Sequence, residues 1–134
     1  LDTVRRENSK YVEKVLEIIK YFDPAEWYIE NPYLSAMRDL PCMKELPSNR
    51  FDYCRFGFDY KKPTRVWTNR TDLEDHPCTC PNKQHKYRIG ITTPDKIYKG
   101  GSADVTKTLD RYRIPEGLLQ YLFAKHLSHS ENLE

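Results

Sequence analysis

Glycine is scarce in this chain: five residues in 134, at positions 57, 90, 100, 101 and 117. Their spacing makes no G-x-G-x-x-G run, which excludes a phosphate or dinucleotide loop of that kind. Hydrophobic residues reach only 38%, mean hydropathy is −0.83, and no apolar run approaches a membrane span. No signal peptide is visible. No Ser-His-Asp arrangement, internal repeat or low-complexity tract stands out. An excess of one charge is also lacking. Twenty-two Lys and Arg against twenty Asp and Glu leave a net charge of +2, too near zero to identify a nucleic-acid binder by itself.

What is present fits one small domain with a thin core. Aromatic residues make up 13%, with ten tyrosines and two tryptophans, which argues against disorder. Of the four cysteines, Cys42, Cys54, Cys78 and Cys80, nothing beyond their number points to secretion. Asn69-Arg70-Thr71 fits the glycosylation acceptor pattern, but that tripeptide is common by chance. An intracellular protein with reduced thiols or a metal site is expected.

Residues 3–22 predict a helix, with Val12, Val15, Leu16, Ile19 and Phe22 at three- and four-residue spacing. Asp23-Pro24 ends it. A strand follows at 26–30 in Trp27-Tyr28-Ile29-Glu30-Asn31-Pro32. Its short apolar run reads as a buried strand of a parallel sheet, and Asn31-Pro32 should stop it. Helix and strand together make half of a βαβ crossover whose first strand is expected before Leu1. Leu34–Leu40 predicts a short helix that Pro41 stops. Arg50–Phe56 and Thr64–Thr68 read as an antiparallel pair joined by a longer loop. Residues 69–108 are polar and irregular. Pro115 opens a last helix whose apolar side is Leu118, Leu119, Leu122 and Phe123, with fraying expected after His126. The division is thus an α/β core over 1–68, an irregular loop over 69–110, and a C-terminal helix and tail over 111–134.

Three features could carry chemistry. Glu30 and Asn31 stand where a strand stops, the end at which open α/β sheets bind ligands; a solvated strand end and a turn is the plainer alternative. Cys78, Cys80 and His85 form a dense group of soft ligands, with His76 or Cys54 as a fourth. Zinc wants four such groups, although the one-residue gap between the cysteines is not the usual spacing, and unligated thiols are the alternative. Lys61, Lys62, Arg65 and Arg70 surround the hairpin, followed by Lys83, Lys86, Arg88, Arg111 and Arg113. With Tyr60, Trp67, Tyr87 and Tyr112 interleaved, they could contact nucleic acid or simply form a solvated basic face.

The motifs in order resemble those of phage- and virus-type DNA cytosine-5 methyltransferases. The blocks are Glu17-Ile18-Ile19-Lys20-Tyr21-Phe22, Trp27 to Pro32, Leu40-Pro41-Cys42-Met43, Tyr53-Cys54-Arg55-Phe56-Gly57, Lys62 to Asn69, and Arg111-Tyr112-Arg113-Ile114-Pro115. They span most of the chain, and only the stretch from about Lys86 to Asp110 matches poorly. The resemblance implies the C-terminal half of a Rossmann-like, class I S-adenosylmethionine-dependent fold, with DNA as partner. It places Glu30 and Asn31 at the family's Glu-Asn motif, where the glutamate contacts the target cytosine at N3 and its amino group. Arg65 would orient the base, although the family's Gln-x-Arg-x-Arg reads Lys-Pro-Thr-Arg here. Lys61, Lys62, Arg70 and Arg113 would then contact the nucleic acid. The family's nucleophilic Pro-Cys precedes the opening helix, whereas Pro41-Cys42 follows the Glu-Asn motif. Nucleophile and methyl-donor loop are therefore expected upstream, on an N-terminal half or a partner chain, and the chain alone is expected to be inactive. The rivals are a methyltransferase-derived binding module without catalysis and a zinc-stabilised structural subunit.

Overall fold

The computed structural model describes residues 2–81, 85, 87–88 and 112–130. Lys83, Lys86 and Arg111, and the side chains of Tyr87 and Arg88, lie outside the described part, as does 89–110 of the irregular loop. Helices and a small sheet make an α/β fold. Two units are distinguished: Leu1–Arg50 with Thr64–Asp75, and Phe51–Pro63 with His76–Glu134.

In the first unit, α1 spans Asp2–Phe22, as its periodicity predicts. It ends on Asp23, whose φ of 43° breaks the helix while its N–H still reaches the Ile19 carbonyl at 2.9 Å. Aspartate is one of the few side chains that visits this left-handed region readily. The apolar side of α1 is wide. Val12, Leu16 and Ile19 are half-buried, while Tyr11, Val15, Ile18 and Phe22 beside them are exposed.

Strand β1 covers Tyr28–Pro32, and two expectations fail here. It is half-buried rather than buried, and it pairs antiparallel, not parallel, with the later strand β4, Pro63–Thr68. A short apolar run fixes neither the direction of its partner nor the burial of its second face. Pro32 lies within the strand because β1 is the edge of a three-stranded sheet of order β1-β4-β2, and edges tolerate proline. The predicted 34–40 helix shrinks to a 3₁₀ turn over Ala36–Asp39, capped by Ser35 Oγ accepting the Met37 N–H at 3.2 Å. Pro41 does not stop a helix. It opens the short α2, Pro41–Lys44, since its fixed φ and absent donor suit a first helical position. Among the described residues, Met43, Val66, Trp67 and Leu73 are the buried apolar ones of this unit.

Strand β2 is Ser48–Asp52, shorter than the predicted 50–56. Tyr53–Phe56 forms a 3₁₀ turn instead, closed by Gly57 in the left-handed region (φ 97°), with its N–H on the Tyr53 carbonyl. The short β3, Tyr60–Lys61, pairs in parallel with β5, Tyr87–Arg88. Helix α3 covers Glu116–Ser130 and so continues past His126, where fraying is predicted. Leu118 and Leu122 are buried, while Leu119 and Phe123 of the same predicted face stay exposed. The second unit centres on rings: Phe51, Phe56, His76 and Tyr121 lie with centroids 4.8–6.1 Å apart.

A Cβ placed on Gly57 would meet no atom within 4 Å, so only the backbone conformation restricts substitution there. Gly57→Ala is expected to lower the unfolding free energy by about 1–2 kcal/mol, the usual penalty of a side chain in the left-handed region. Gly57→Asn should lose less. Urea denaturation of the two variants against the parent checks this.

Candidate functional site

In the second unit, the end of β2 and the turn after it meet the segment that begins at His76. Phe51 and His76 form an isolated parallel bridge, and the Asp52 N–H donates to the His76 carbonyl at 3.0 Å. Two parallel segments leaving a bridge run side by side. That brings Cys54, at the first turn beyond β2, to Cys78, two residues past His76. Cys80 and His85 complete the group, and one ligand atom from each of the four residues lies within 4.8 Å of all the others. Cys78 Sγ and His85 Nε2 are 3.2 Å apart. All four residues are half-buried, and the cysteines form no disulfide.

The backbone around the cluster is fixed by a buried carboxylate. Asp52 is fully buried and accepts the Cys78 N–H on Oδ2 at 2.8 Å. The same oxygen lies 3.6 Å from Lys61 Nζ. Arg55, next to Cys54, donates to the hydroxyl of Thr79, which stands between Cys78 and Cys80. The thiols are electrostatically unequal. Burial, then the neighbouring Cys78, pushes the Cys54 thiol up to about 12. Burial also opposes ionisation of Cys78. The Cys80 N–H, the two other thiols and the Lys61 charge outweigh it and hold Cys78 below the ordinary thiol range. Cys78 thus ionises more readily than Cys54. His76 is not part of the group. Its ring stacks on Phe51 (5.6 Å, 14° between planes) and meets Tyr121 edge-on at 4.8 Å, so the fourth member is Cys54.

In the first unit, Glu30 and Asn31 lie on β1, two and one residues before its end. The register pairs Glu30 with Val66 and Asn31 with Arg65. Directly opposed residues project to the same face, and successive residues to opposite faces. Glu30 and Arg65 therefore sit on opposite faces of the β1–β4 pair, so the two residues that the resemblance assigns to one base do not share a face of this sheet. Arg65 shares its face with Asn31. Its guanidinium lies 4.4 Å from the Tyr33 ring centroid and 5.7 Å from that of Trp67, and Nη1 donates to Ser48 Oγ at 2.8 Å. Arg65 Nε is buried without a hydrogen-bond partner. Asn31 Nδ2 contacts Met37 Sδ at 3.3 Å and lines a groove of about 500 Å³ with Ser9, Val12, Ser35 and Leu40.

The basic residues are largely committed within the protein. Lys61 is paired with Asp52 as above. Lys62 is buried, with its ammonium 4.9 Å from the Tyr53 ring centroid. Arg70 forms a bidentate pair with Asp72 (2.9 and 2.7 Å) and donates to the Tyr28 hydroxyl at 3.2 Å. Arg113 is exposed and lies over the Phe58 ring at 5.8 Å. Asn69 spends both ends of its amide internally, on the Trp27 N–H (3.2 Å) and the Ala25 carbonyl (2.9 Å), where it braces the entry to β1. No helix among the described residues is long and apolar enough to cross a membrane.

The chain is 28% identical over 117 residues to a protein of Frog virus 3 (isolate Goorha) described as a "probable DNA (cytosine-5)-methyltransferase". The match covers 81% of this chain and 53% of the viral protein, so the chain spans about half the length of that curated relative. The resemblance read from the sequence is thereby borne out. No family model and no solved structure matches the chain.

The unequal thiols set a pH order of reaction in chelator-treated protein, because only a thiolate is alkylated. Cys78 should react with iodoacetamide first, with a pH midpoint below that of an ordinary cysteine. Cys54 should stay protected until strongly alkaline pH, near its value of about 12. Peptide mapping by mass spectrometry after timed labelling reads the order directly.

Proposed function

We propose that this chain supplies the target-base recognition part of a DNA (cytosine-5) methyltransferase that uses S-adenosylmethionine as methyl donor. The observation that carries the reading is the viral relative, matched across most of a chain whose Glu30-Asn31 pair stands near the end of a strand. A cytosine taken out of the duplex is read on its Watson–Crick edge. That edge offers an acceptor at N3 and a donor at the amino group, and a protonated carboxyl at Glu30 answers both. Proton donation to N3 makes the ring a better acceptor for an attacking thiolate. Asn31 and Arg65 act from the other face of the β1–β4 pair. Held against Tyr33 and Ser48, Arg65 positions the strand end.

In this reading the fold is the C-terminal half of a class I methyltransferase sheet. Strand β1 pairs with β4 on one side and stands at the sheet edge on the other, where a further strand can add. The exposed Tyr11, Val15, Ile18 and Phe22 on α1 form an apolar stripe of the kind that a neighbouring segment covers. The methyl-donor loop and nucleophilic cysteine come from that segment. Pro41-Cys42 does not serve, because it follows the Glu-Asn motif instead of preceding the opening helix.

Two outcomes follow. The chain alone should transfer no tritium from S-adenosylmethionine to DNA; turnover that needs no other segment and survives Cys42→Ala would end the reading. In an enzyme assembled from this chain and a segment bearing the Gly-rich loop and Pro-Cys, Glu30→Gln should slow methyl transfer by about 10²–10⁴-fold, the usual worth of a positioned acid. DNA affinity should change little, since the amide keeps the shape. Equal losses in both would assign Glu30 to binding alone.

A further inference from the structure

We propose that Cys54, Cys78, Cys80 and His85 hold one zinc ion in a closed, structural site that ties the turn after β2 to the segment following His76. Three sulfurs and one imidazole nitrogen are the donors zinc prefers, in one of its common structural combinations. The distances suit the ion as well. Zn–S near 2.3 Å and Zn–N near 2.0–2.1 Å in a tetrahedron require ligand atoms about 3.5–3.8 Å apart. Here one pair stands at 3.2 Å and none exceeds 4.8 Å, so an ion needs only small side-chain movements to be seated.

Charge points the same way. Three thiols crowded at this distance cannot all ionise against one another, whereas a dication lets them do so. The surrounding residues are placed to support such a centre. Asp52 fixes the Cys78 backbone, Lys61 places a positive charge beside a site that would carry net negative charge, and Arg55 clamps Thr79 between two of the ligands. Such outer partners are what orient ligands in known metal sites. Four protein ligands leave no coordination position for water, so the ion holds structure and activates nothing. The site lies wholly in the second unit and does not depend on the base-recognition reading.

The test begins with the whole chain, purified without a metal-affinity column and analysed for zinc by mass spectrometry. About one equivalent is expected, and less than about a tenth would overturn the proposal, as would an intact-mass loss of two hydrogen atoms with peptide mapping that places the disulfide within the group. Cobalt substitution identifies the ligands. The protein should show intense visible bands of tetrahedral cobalt with thiolate charge transfer. His85→Cys should retain the ion and shift the bands towards the all-thiolate pattern, a result that does not require a ligand-deleted variant to fold. His76→Ala should leave the cobalt spectrum unchanged, while Cys54→Ser should abolish or strongly weaken it. A spectrum lost in His76→Ala but unaffected in Cys54→Ser would refute the ligand set.

Discussion

The buried carboxylate of Asp52 is the constraint on which the second unit depends. A fully buried aspartate is costly unless its oxygens are met by donors, and here the Cys78 N–H and the Lys61 ammonium both converge on Oδ2. Those contacts set where two other segments pass. Lys61 belongs to β3, and Cys78 begins the Cys/His group. The backbone N–H of Asp52 donates to the His76 carbonyl, so backbone and side chain of one residue grip the same segment at nearby points. A polar anchor of this kind suits a chain with few hydrophobic residues, because it specifies one arrangement where packing alone would leave several.

What could be read from the sequence was local. Helix α1 and strand β4 follow from periodicity and β-branched or aromatic content, and both sit where they are predicted. Cys78, Cys80 and His85 are close neighbours in the chain, so their grouping was visible as well. Cys54 was one of two choices for the fourth place because the bridge between Phe51 and His76 joins residues far apart in sequence. The same bridge takes His76 away from the thiols into a ring cluster. Its imidazole is flat and apolar enough to pack as an aromatic residue, which its chemistry as a metal ligand does not announce. The neighbours of the basic residues are hidden for a related reason. Lys61 is well separated in the chain from its acidic counterpart Asp52, and only the fold shows the two side by side.

Strand direction was the other hidden quantity. The period-2 alternation of a strand is the same in either direction, but the register decides which pairs of residues share a face. With Glu30 opposite Val66 and Asn31 opposite Arg65, a carboxylate and a guanidinium that looked like partners are separated by the sheet itself. They therefore belong to two surfaces, with the arginine held against Tyr33 and Ser48 rather than beside the carboxylate.

Pro32 has a consequence of another kind. An open sheet edge is a template for any extended chain, including a misfolded copy of the same molecule. Proline at the last position of β1 removes one donor from that strand and places a rigid ring at its end. Growth of a cross-β stack along this rim would meet an interruption at every layer. A strand that adds legitimately needs only the residues before Pro32, so the same proline admits a short, specific neighbour while discouraging indefinite self-association.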